Sequence, residues 1–270
     1  MTTKDICKVH YLSCVEAYFG AWIKDFIELP LLYGESYISW NDIVNAFNNP
    51  MVNYANFPCI PRIQDLAERI GIVTHRKEQG IPQLGNKCEL ILLSVNESFF
   101  QKQRPWRIDH YIAVEELTAK KLKYLNEYPL EAGELTIKEF NSKFGGDSLI
   151  FSLSSTGNHI IEKKRLSQLQ IPNDLQFTCD SILPIQRLRD AIGILRVSRR
   201  RTAEWVDWYS RQNSISNLAQ LQEKLSAQIK FADNCYLRLQ SAILRNNELH
   251  KSILQEMTER LADMEIQIKE

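Results

Sequence analysis

Apolar residues dominate the segment from residue 13 to residue 29 and predict a buried helix. Ser13 is a suitable N-cap for this helix, and Pro30 is expected to end it. The apolar side chains cover most of the helix circumference: Val15, Tyr18, Phe19, Trp22, Ile23, Phe26 and Ile27. A helix that is apolar nearly all round is normally enclosed by other elements, so this one is predicted to lie at the centre of a domain.

The spacing of apolar residues then changes from helical to strand-like. Residues 35–61 are rich in Asn, Pro and aromatic residues and predict irregular structure with one short helix. Residues 63–70 predict another helix, with Gly71 just past its end. Four strands are predicted, at 89–95, 109–114, 121–125 and 149–153, and Thr136 opens a short helix before the last of them. One helix followed by several strands favours an α+β domain over an alternating α/β one.

Strand signals stop after about residue 175. Pro184 begins a helical stretch, and helical spacing continues from there to the end of the chain. Because no proline follows Pro184 and no glycine follows Gly193, two or three long antiparallel helices are expected. The sequence therefore predicts an α+β domain at 1–175 and an all-α helical region at 176–270. The helical region is expected to pack and form a homodimer, or to dock a partner.

Composition and charge narrow the classes of function. The 270 residues carry a formal net charge of zero, which gives no global basic bias toward nucleic acid. The N-terminus has no apolar signal-peptide core, and no apolar run is long enough for a membrane span. A cytoplasmic protein with reduced cysteines is therefore expected. The six cysteines include no C-x-x-C pair and the five histidines form no metal motif, so no metal site is predicted.

Cys14 is located at the start of the predicted central helix. The first turn of a helix leaves backbone N–H groups without helical partners and carries partial positive charge. This environment is expected to lower the pKa of the Cys14 thiol and so increase the fraction of nucleophilic thiolate. The same N–H groups can hold an oxyanion. The alternative is a buried structural cysteine, which is the commonest role of a free cysteine.

His110 and Asn126 complete a candidate catalytic set with Cys14. His110 lies at the entry to an apolar strand and is a candidate general base for the thiol. Asn126 follows the next strand, sixteen residues later, and a tight turn would bring the two residues side by side. A carboxamide there can hold the imidazole in one tautomer. Glu127 is an alternative orienting residue, although on an extended strand it faces the other way from Asn126.

The order of these residues resembles that of the papain-like superfamily, in which a cysteine heads an N-terminal buried helix. The spacing from His110 to Asn126, the proline that follows, and the continuations ELTIKEF and GGDSLIFSL are similar to the double-glycine bacteriocin-processing peptidases. A helical C-terminal region with Trp205 and Trp208 is not a feature of those peptidases. The combination looks like the butirosin biosynthesis protein H family.

The resemblance implies a papain-like domain, with a central buried helix packed on an antiparallel sheet, that acts as a cysteine-dependent acyltransferase. Such an enzyme moves an acyl group from a carrier-protein thioester to an amine or hydroxyl of a small-molecule acceptor in natural-product biosynthesis. It has no cofactor of its own, because phosphopantetheine arrives on the acyl carrier protein.

The sequence departs from the papain-like pattern at two positions. Lys8 occupies the position, six residues before Cys14, where papain-like enzymes usually carry an oxyanion-binding Gln. His10 or a backbone N–H would have to substitute for that side chain. Asn126 replaces the Asp that the nearest branches favour.

Two other functions remain open. With water or an internal nucleophile as acceptor, the same triad would make a thioesterase, a cyclising chain-release enzyme or a peptidase. With a degenerate triad, the chain would be a non-catalytic scaffold subunit, which the residues at positions 8 and 126 favour.

Arginines are concentrated in the first helix of the C-terminal region. The basic run consists of Arg196, Arg199, Arg200 and Arg201. It suits the acidic surface of a carrier protein, or the phosphate of the pantetheine arm. A solvated helix face is the alternative. The aromatic residues that follow suggest single-stranded nucleic acid less strongly than core packing.

Overall fold

The computed structural model of the chain describes residues 1–54, 57–58, 60–82, 89–99, 110–154, 182–215 and 218–269. Contacts between residues divide the chain into two compact units, Met1–Glu28 with Arg62–Ile161 and Leu29–Pro61 with Glu162–Glu270. Strands occur in the N-terminal half and long helices in the C-terminal part, so the predicted α+β class is confirmed. The domain boundary predicted near residue 175 lies outside the described residues.

Unit 1, made of Met1–Glu28 and Arg62–Ile161, is built on an antiparallel sheet of six strands. The strands are β1 (Val73–Gln79), β2 (Glu89–Val95), β3 (His110–Leu117), β4 (Lys121–Glu127), β5 (Leu130–Thr136) and β6 (Phe144–Leu153). They lie in the order β1-β6-β2-β3-β4-β5, and every neighbouring pair is antiparallel. The helices, numbered in chain order across both units, are α1 (Thr3–Ile6), α2 (Cys14–Ile23), α4 (Ile63–Arg69) and α5 (Ile137–Lys143). A short 3-10 turn spans Glu97–Phe99.

Helices cover both faces of the sheet. On one face, Phe140 of α5 belongs to an apolar cluster that includes Ile150 of β6. On the other face, Phe19 of α2 meets Phe151 of β6 edge to face, with ring centroids 5.1 Å apart. Because Ile150 and Phe151 are consecutive strand residues, their side chains point to opposite faces. The nearly continuous burial of β2 follows from this double covering.

Helix α2 is enclosed as predicted but is shorter than predicted. Ser13 is its N-cap, and the serine hydroxyl accepts the backbone N–H of Glu16. All residues from Glu16 to Ile23 are buried. The helix ends at Ile23 rather than at residue 29. The run of buried residues also ends at Ile23, and Phe26 in the following turn is 49% exposed.

The second unit, unit 2, is helical in its described part. It contains a 3-10 turn at Leu29–Tyr33 and the helices α3 (Trp40–Asn48), α6 (Ile185–Asn213), α7 (Ala219–Leu244) and α8 (Lys251–Lys269). Helix α7 packs against both α6 and α8. Ser214, with φ of 54°, ends α6 in the left-handed region. Over the described residues, no helix has both the length and the apolarity needed to cross a bilayer.

The segment Leu29–Pro61 belongs to unit 2, whereas the sequence placed it in the first domain. Trp40 explains the difference, because its fully buried side chain donates the indole N–H to the Thr258 carbonyl oxygen at 3.1 Å. The Trp40 backbone N–H also donates to the Glu265 carboxylate at 2.7 Å. These partners lie on α8, so the aromatic residues of the segment complete the helical core rather than the sheet.

Candidate active site

Two polar residues predicted on neighbouring strands are in contact. His110 begins β3, Asn126 lies near the end of β4, and the ring Nε2 is 2.7 Å from the amide Oδ1. The side chains are buried, with His110 8% exposed and Asn126 fully enclosed. An amide oxygen only accepts hydrogen bonds, so Nε2 carries the proton and the lone pair of the neutral ring is on Nδ1. Asn126 therefore holds the imidazole in the tautomer whose base is Nδ1.

The backbone hydrogen-bond ladder between β3 and β4 stops short of this contact. The ladder between the two strands begins at Ala113 and Leu125, although β4 continues to Glu127. Continuing the register would place Tyr111 opposite Glu127. The hydroxyl of Tyr18 lies at this point: it donates to the Tyr111 carbonyl oxygen at 3.0 Å and accepts the Glu127 backbone N–H at 2.8 Å.

Cys14 is the first residue of α2 and lies beside the opened ladder. Its side chain is partly exposed, and the thiol is within hydrogen-bond reach of the Tyr111 backbone N–H. Tyr18 follows one helical turn later, so the two side chains share a face of α2. The Cys14 thiol therefore lies near the N–H of Tyr111, and the Tyr18 hydroxyl bonds the C=O of the same residue. This places Cys14 next to the residue that follows His110.

Burial raises the pKa of the Cys14 thiol to about 11, and the Glu127 carboxylate adds to the rise. The backbone N–H groups of Tyr111, Val15 and Cys14 act in the opposite direction and favour the thiolate. The expected net lowering of this pKa is therefore wrong: the helix amides act in the expected direction, but desolvation of the charged form outweighs them. A thiol with this pKa is protonated at neutral pH, so it needs a general base to become a nucleophile.

Backbone amides, rather than a side chain at position 8, are the donors next to the thiol. Lys8 is exposed, and its N–H donates to the Asp5 carbonyl oxygen at 3.2 Å. The N–H groups of Cys14 and Val15 lie within reach of the sulfur. These two groups head α2 and can stabilise an oxyanion that forms on an acyl group attached at Cys14.

The chain before Cys14 is held by a buried carboxylate that the sequence reasoning missed. Glu16 is fully enclosed, and its two oxygens accept the backbone N–H groups of Leu12, at 2.6 Å, and Ile63, at 2.8 Å. The S-x-x-E spacing from Ser13 was the available signal, since it is typical of a capping box. Here the carboxylate reaches one residue before the N-cap. It fixes the entry of the chain into α2 and ties that entry to the start of α4.

Glu127, the alternative orienting residue, has a different position from Asn126. The histidine ring bonds the Asn126 amide, while the Glu127 carboxylate lies near enough to Cys14 to raise the pKa of the thiol. The two residues are consecutive on β4, so their side chains face opposite ways. The alternation anticipated from the sequence agrees with this arrangement.

The basic run on α6 does not form an open surface. Arg199 and Arg201 are fully buried. Arg196 and Arg200 both pair with Asp233 of α7, at 2.5 and 2.8 Å. A docking face made of all four side chains is therefore excluded, because two of them are enclosed in unit 2. The other two share one carboxylate, which offsets only one of their two charges. A solvated face is wrong for the two enclosed arginines as well.

Comparisons with known proteins give no family for the chain. No protein-family model matches it, and no curated protein matches it. Within the described ranges, no group of His, Cys, Asp and Glu residues is arranged to hold a metal ion. The chemistry around Cys14, His110 and Asn126 is therefore the basis for the function inferred below.

Proposed function

We propose that unit 1 is a papain-like domain and that the protein is a cysteine-dependent acyltransferase. The observation that carries the proposal is the 2.7 Å contact between His110 and Asn126, taken together with the reach of the Cys14 thiol to the backbone N–H of Tyr111, the residue after His110. A base with a fixed tautomer and a thiol that needs a base are the two requirements of nucleophilic acyl transfer. The enclosed helix α2, packed on an antiparallel sheet, supports the papain-like assignment.

In the first half-reaction, Cys14 takes the acyl group from a thioester. His110 Nδ1 accepts the Sγ–H proton as Sγ attacks the carbonyl carbon, and the π electrons move onto the carbonyl oxygen. The N–H groups at the head of α2 stabilise this oxyanion. When it collapses, the bond from carbon to the donor sulfur breaks, and the leaving thiolate takes the proton from His110. Asn126 keeps the Nε2–H bonded throughout, which stabilises the imidazolium.

In the second half-reaction, an acceptor amine or hydroxyl attacks the acyl-Cys14 carbonyl carbon. His110 Nδ1 takes the acceptor proton, the bond from carbon to Cys14 Sγ breaks, and the sulfur regains the proton. The negative charge of Glu127 near the thiol favours an acceptor that carries a positive charge elsewhere than on its attacking atom over an anionic acceptor. The donor we propose is an acyl carrier protein of natural-product biosynthesis with its own phosphopantetheine.

A non-catalytic scaffold subunit is the second candidate function. The raised pKa of Cys14 and the exposed Lys8, in place of an oxyanion-binding Gln, favour it. A thiol that stays protonated, with no base acting on it, would be an ordinary buried cysteine.

Intact-protein mass spectrometry after mixing with simple acyl thioesters separates these functions. The acyltransferase predicts one acyl adduct on the wild type, mapped to Cys14, and none on Cys14→Ala. Cys7→Ala is the matched control, because Cys7 is exposed and its loss should leave the adduct intact. Discharge of the adduct by added amines supports a transferase, and discharge by water alone supports a hydrolase. A folded wild type that forms no adduct with any donor would favour the scaffold.

A further inference from the structure

The hydroxyl of Tyr18 occupies the place of a ladder hydrogen bond. Tyr111 and Glu127 would face each other if the register of β3 and β4 continued past Ala113 and Leu125. Their carbonyl and amide are instead joined through one phenol, at 3.0 and 2.8 Å. The hydroxyl thus stands between the two strand ends, where a direct ladder hydrogen bond would otherwise join them.

The residues on either side of this bridge are those of the candidate site. Tyr111 follows His110, and Glu127 follows Asn126. The phenol itself is carried by α2, one turn after Cys14. A single hydroxyl therefore connects the three elements that supply the three side chains.

We propose that Tyr18 is the positioning residue of the candidate site, whose hydroxyl joins β3 to β4 in place of a ladder hydrogen bond and so sets the backbone that carries His110 and Asn126. This inference rests on the proposed function for the role of the three residues, but its geometry is independent of which acyl group is moved. Tyr18 touches no reacting atom in this scheme. It acts through the backbone of the two strands.

The environment of Tyr18 supports a bridge that is permanent. The side chain is fully buried, and burial raises the pKa of its phenol well above the usual value. The hydroxyl therefore stays protonated and keeps donating to Tyr111. Without it, the Tyr111 carbonyl and the Glu127 amide would be left without this partner or would approach each other. Both outcomes move the residues that precede them, His110 and Asn126.

The test is the variant Tyr18→Phe, which keeps the ring and removes the hydroxyl. Alkylation of Cys14 by iodoacetamide is followed by peptide mapping across pH 5–11. The positioning role predicts that the rate at pH 7.5 falls about tenfold, the equivalent of losing one buried hydrogen bond in the network. It also predicts that the pH profile moves upward toward the titration of the thiol alone. An unchanged rate and profile in a folded variant would overturn it.

Tyr37→Phe is the matched control for stability. The Tyr37 hydroxyl is also buried and hydrogen-bonded, to Glu265 of unit 2 at 2.9 Å. Both variants should lower the melting temperature, but only Tyr18→Phe should move the alkylation profile. If Tyr37→Phe moves it equally, the effect is general loosening and the positioning role fails.

A measurement on the wild type covers the case in which Tyr18→Phe does not fold. Hydrogen exchange should show the Glu127 amide protected, because it donates to a buried hydroxyl. A Glu127 amide that exchanges freely would contradict the bridge. The two proposals also fail separately. An acyl adduct on the wild type, together with an unshifted alkylation profile for Tyr18→Phe, would support the acyltransferase and refute the positioning role. A shifted profile without any adduct would support the positioning role and count against the acyltransferase.

Discussion

The Arg199 guanidinium of unit 2 is fully buried and Cys14 of unit 1 is half-buried, and the two polar groups differ in their surroundings. Arg199 pairs with Glu265 and donates to the Gln228 side-chain oxygen at 2.6 Å and the Ile38 carbonyl oxygen at 2.8 Å. Its guanidinium also stacks over the Tyr37 ring at 4.1 Å. The partners come from the segment after the 3-10 turn and from α7 and α8, so the charge joins most of the unit.

Cys14 has no such set of compensating charges among the contacts that the structure describes for it. Burial disfavours its thiolate and the Glu127 carboxylate disfavours it further. A buried charge whose hydrogen-bonding groups are all paired stabilises the arrangement of the elements around it, and it has no group free to react. A neutral thiol with few compensating groups stays available to react once a base takes its proton. Substitutions in the two places should therefore change different properties.

The largest expected effect is on stability and lies in unit 2. Arg199→Met leaves the Glu265 carboxylate buried without its countercharge, so the free energy of unfolding should fall by about 3–5 kcal/mol. Arg196→Met is the control, since it removes a partly exposed pair with Asp233 and should cost about 0–1 kcal/mol. Urea denaturation measures both. Equal losses would mean that the buried pair has no special role.

Asn126 should affect reactivity much more than stability. Asn126→Ala removes the acceptor of the His110 Nε2–H, and a hydrogen bond to a charged group is worth about 1.5–3 kcal/mol. Alkylation of Cys14 at pH 7.5 should slow about 10- to 100-fold. Asn126→Asp should retain the rate, because a carboxylate also accepts this proton. An alanine variant that labels as fast as the wild type would remove Asn126 from the site.

Glu127→Gln should act in the opposite direction. It removes a negative charge near Cys14, which lowers the pKa of the thiol and should speed alkylation below that pKa by about threefold, as for a partly screened pair of charges. Added salt should speed the wild type and leave the variant nearly unchanged. A slower variant would show that Glu127 supports the histidine instead.

The smallest effects come from two helix caps in unit 1. Ser13→Ala and Thr136→Ala each remove an N-cap hydroxyl, and each should cost about 1 kcal/mol of stability. Only Ser13→Ala should also change the labelling of Cys14, because Ser13 precedes Cys14 and Thr136 caps α5. Thermal unfolding and alkylation rates on both variants give the comparison. A change of labelling with Thr136→Ala would mean that general stability controls the thiol.

The sheet was predictable only where its strands are buried. The runs at β2, β3, β4 and β6 are apolar and were found, although β3, β4 and β6 extend beyond the predicted ends. Strands β1 and β5 were missed because they are the edges of the sheet and are mostly exposed, with the sequences VTHRKEQ and LEAGELT. Edge strands need little apolar surface, so periodicity does not reveal them.

The contact between His110 and Asn126 was predictable from the sequence, and the electrostatics of Cys14 were not. The turn between β3 and β4 brings His110 and Asn126 together, as their spacing indicated. The pKa of Cys14 was predicted in the wrong direction, because desolvation in the folded surroundings of the thiol outweighs the N–H groups at the start of α2. Tyr18 could be seen only as one apolar position of that helix. A hydroxyl on an otherwise apolar buried face was the available signal.

The most direct measurement is the pH profile of Cys14 alkylation in the wild type and in His110→Ala. Because the pKa of the folded thiol, about 11, lies above its ordinary value of 9.0, folding favours the neutral thiol. The contribution of the thiol to the free energy of unfolding is fully present below about pH 9 and is lost as the pH rises through about 11. Folding must therefore be monitored at each pH. The account predicts that the wild type reacts near neutral pH, whereas His110→Ala reacts only as the pH approaches 11. Superimposable profiles would contradict it, because His110 would then have no part in activating Cys14.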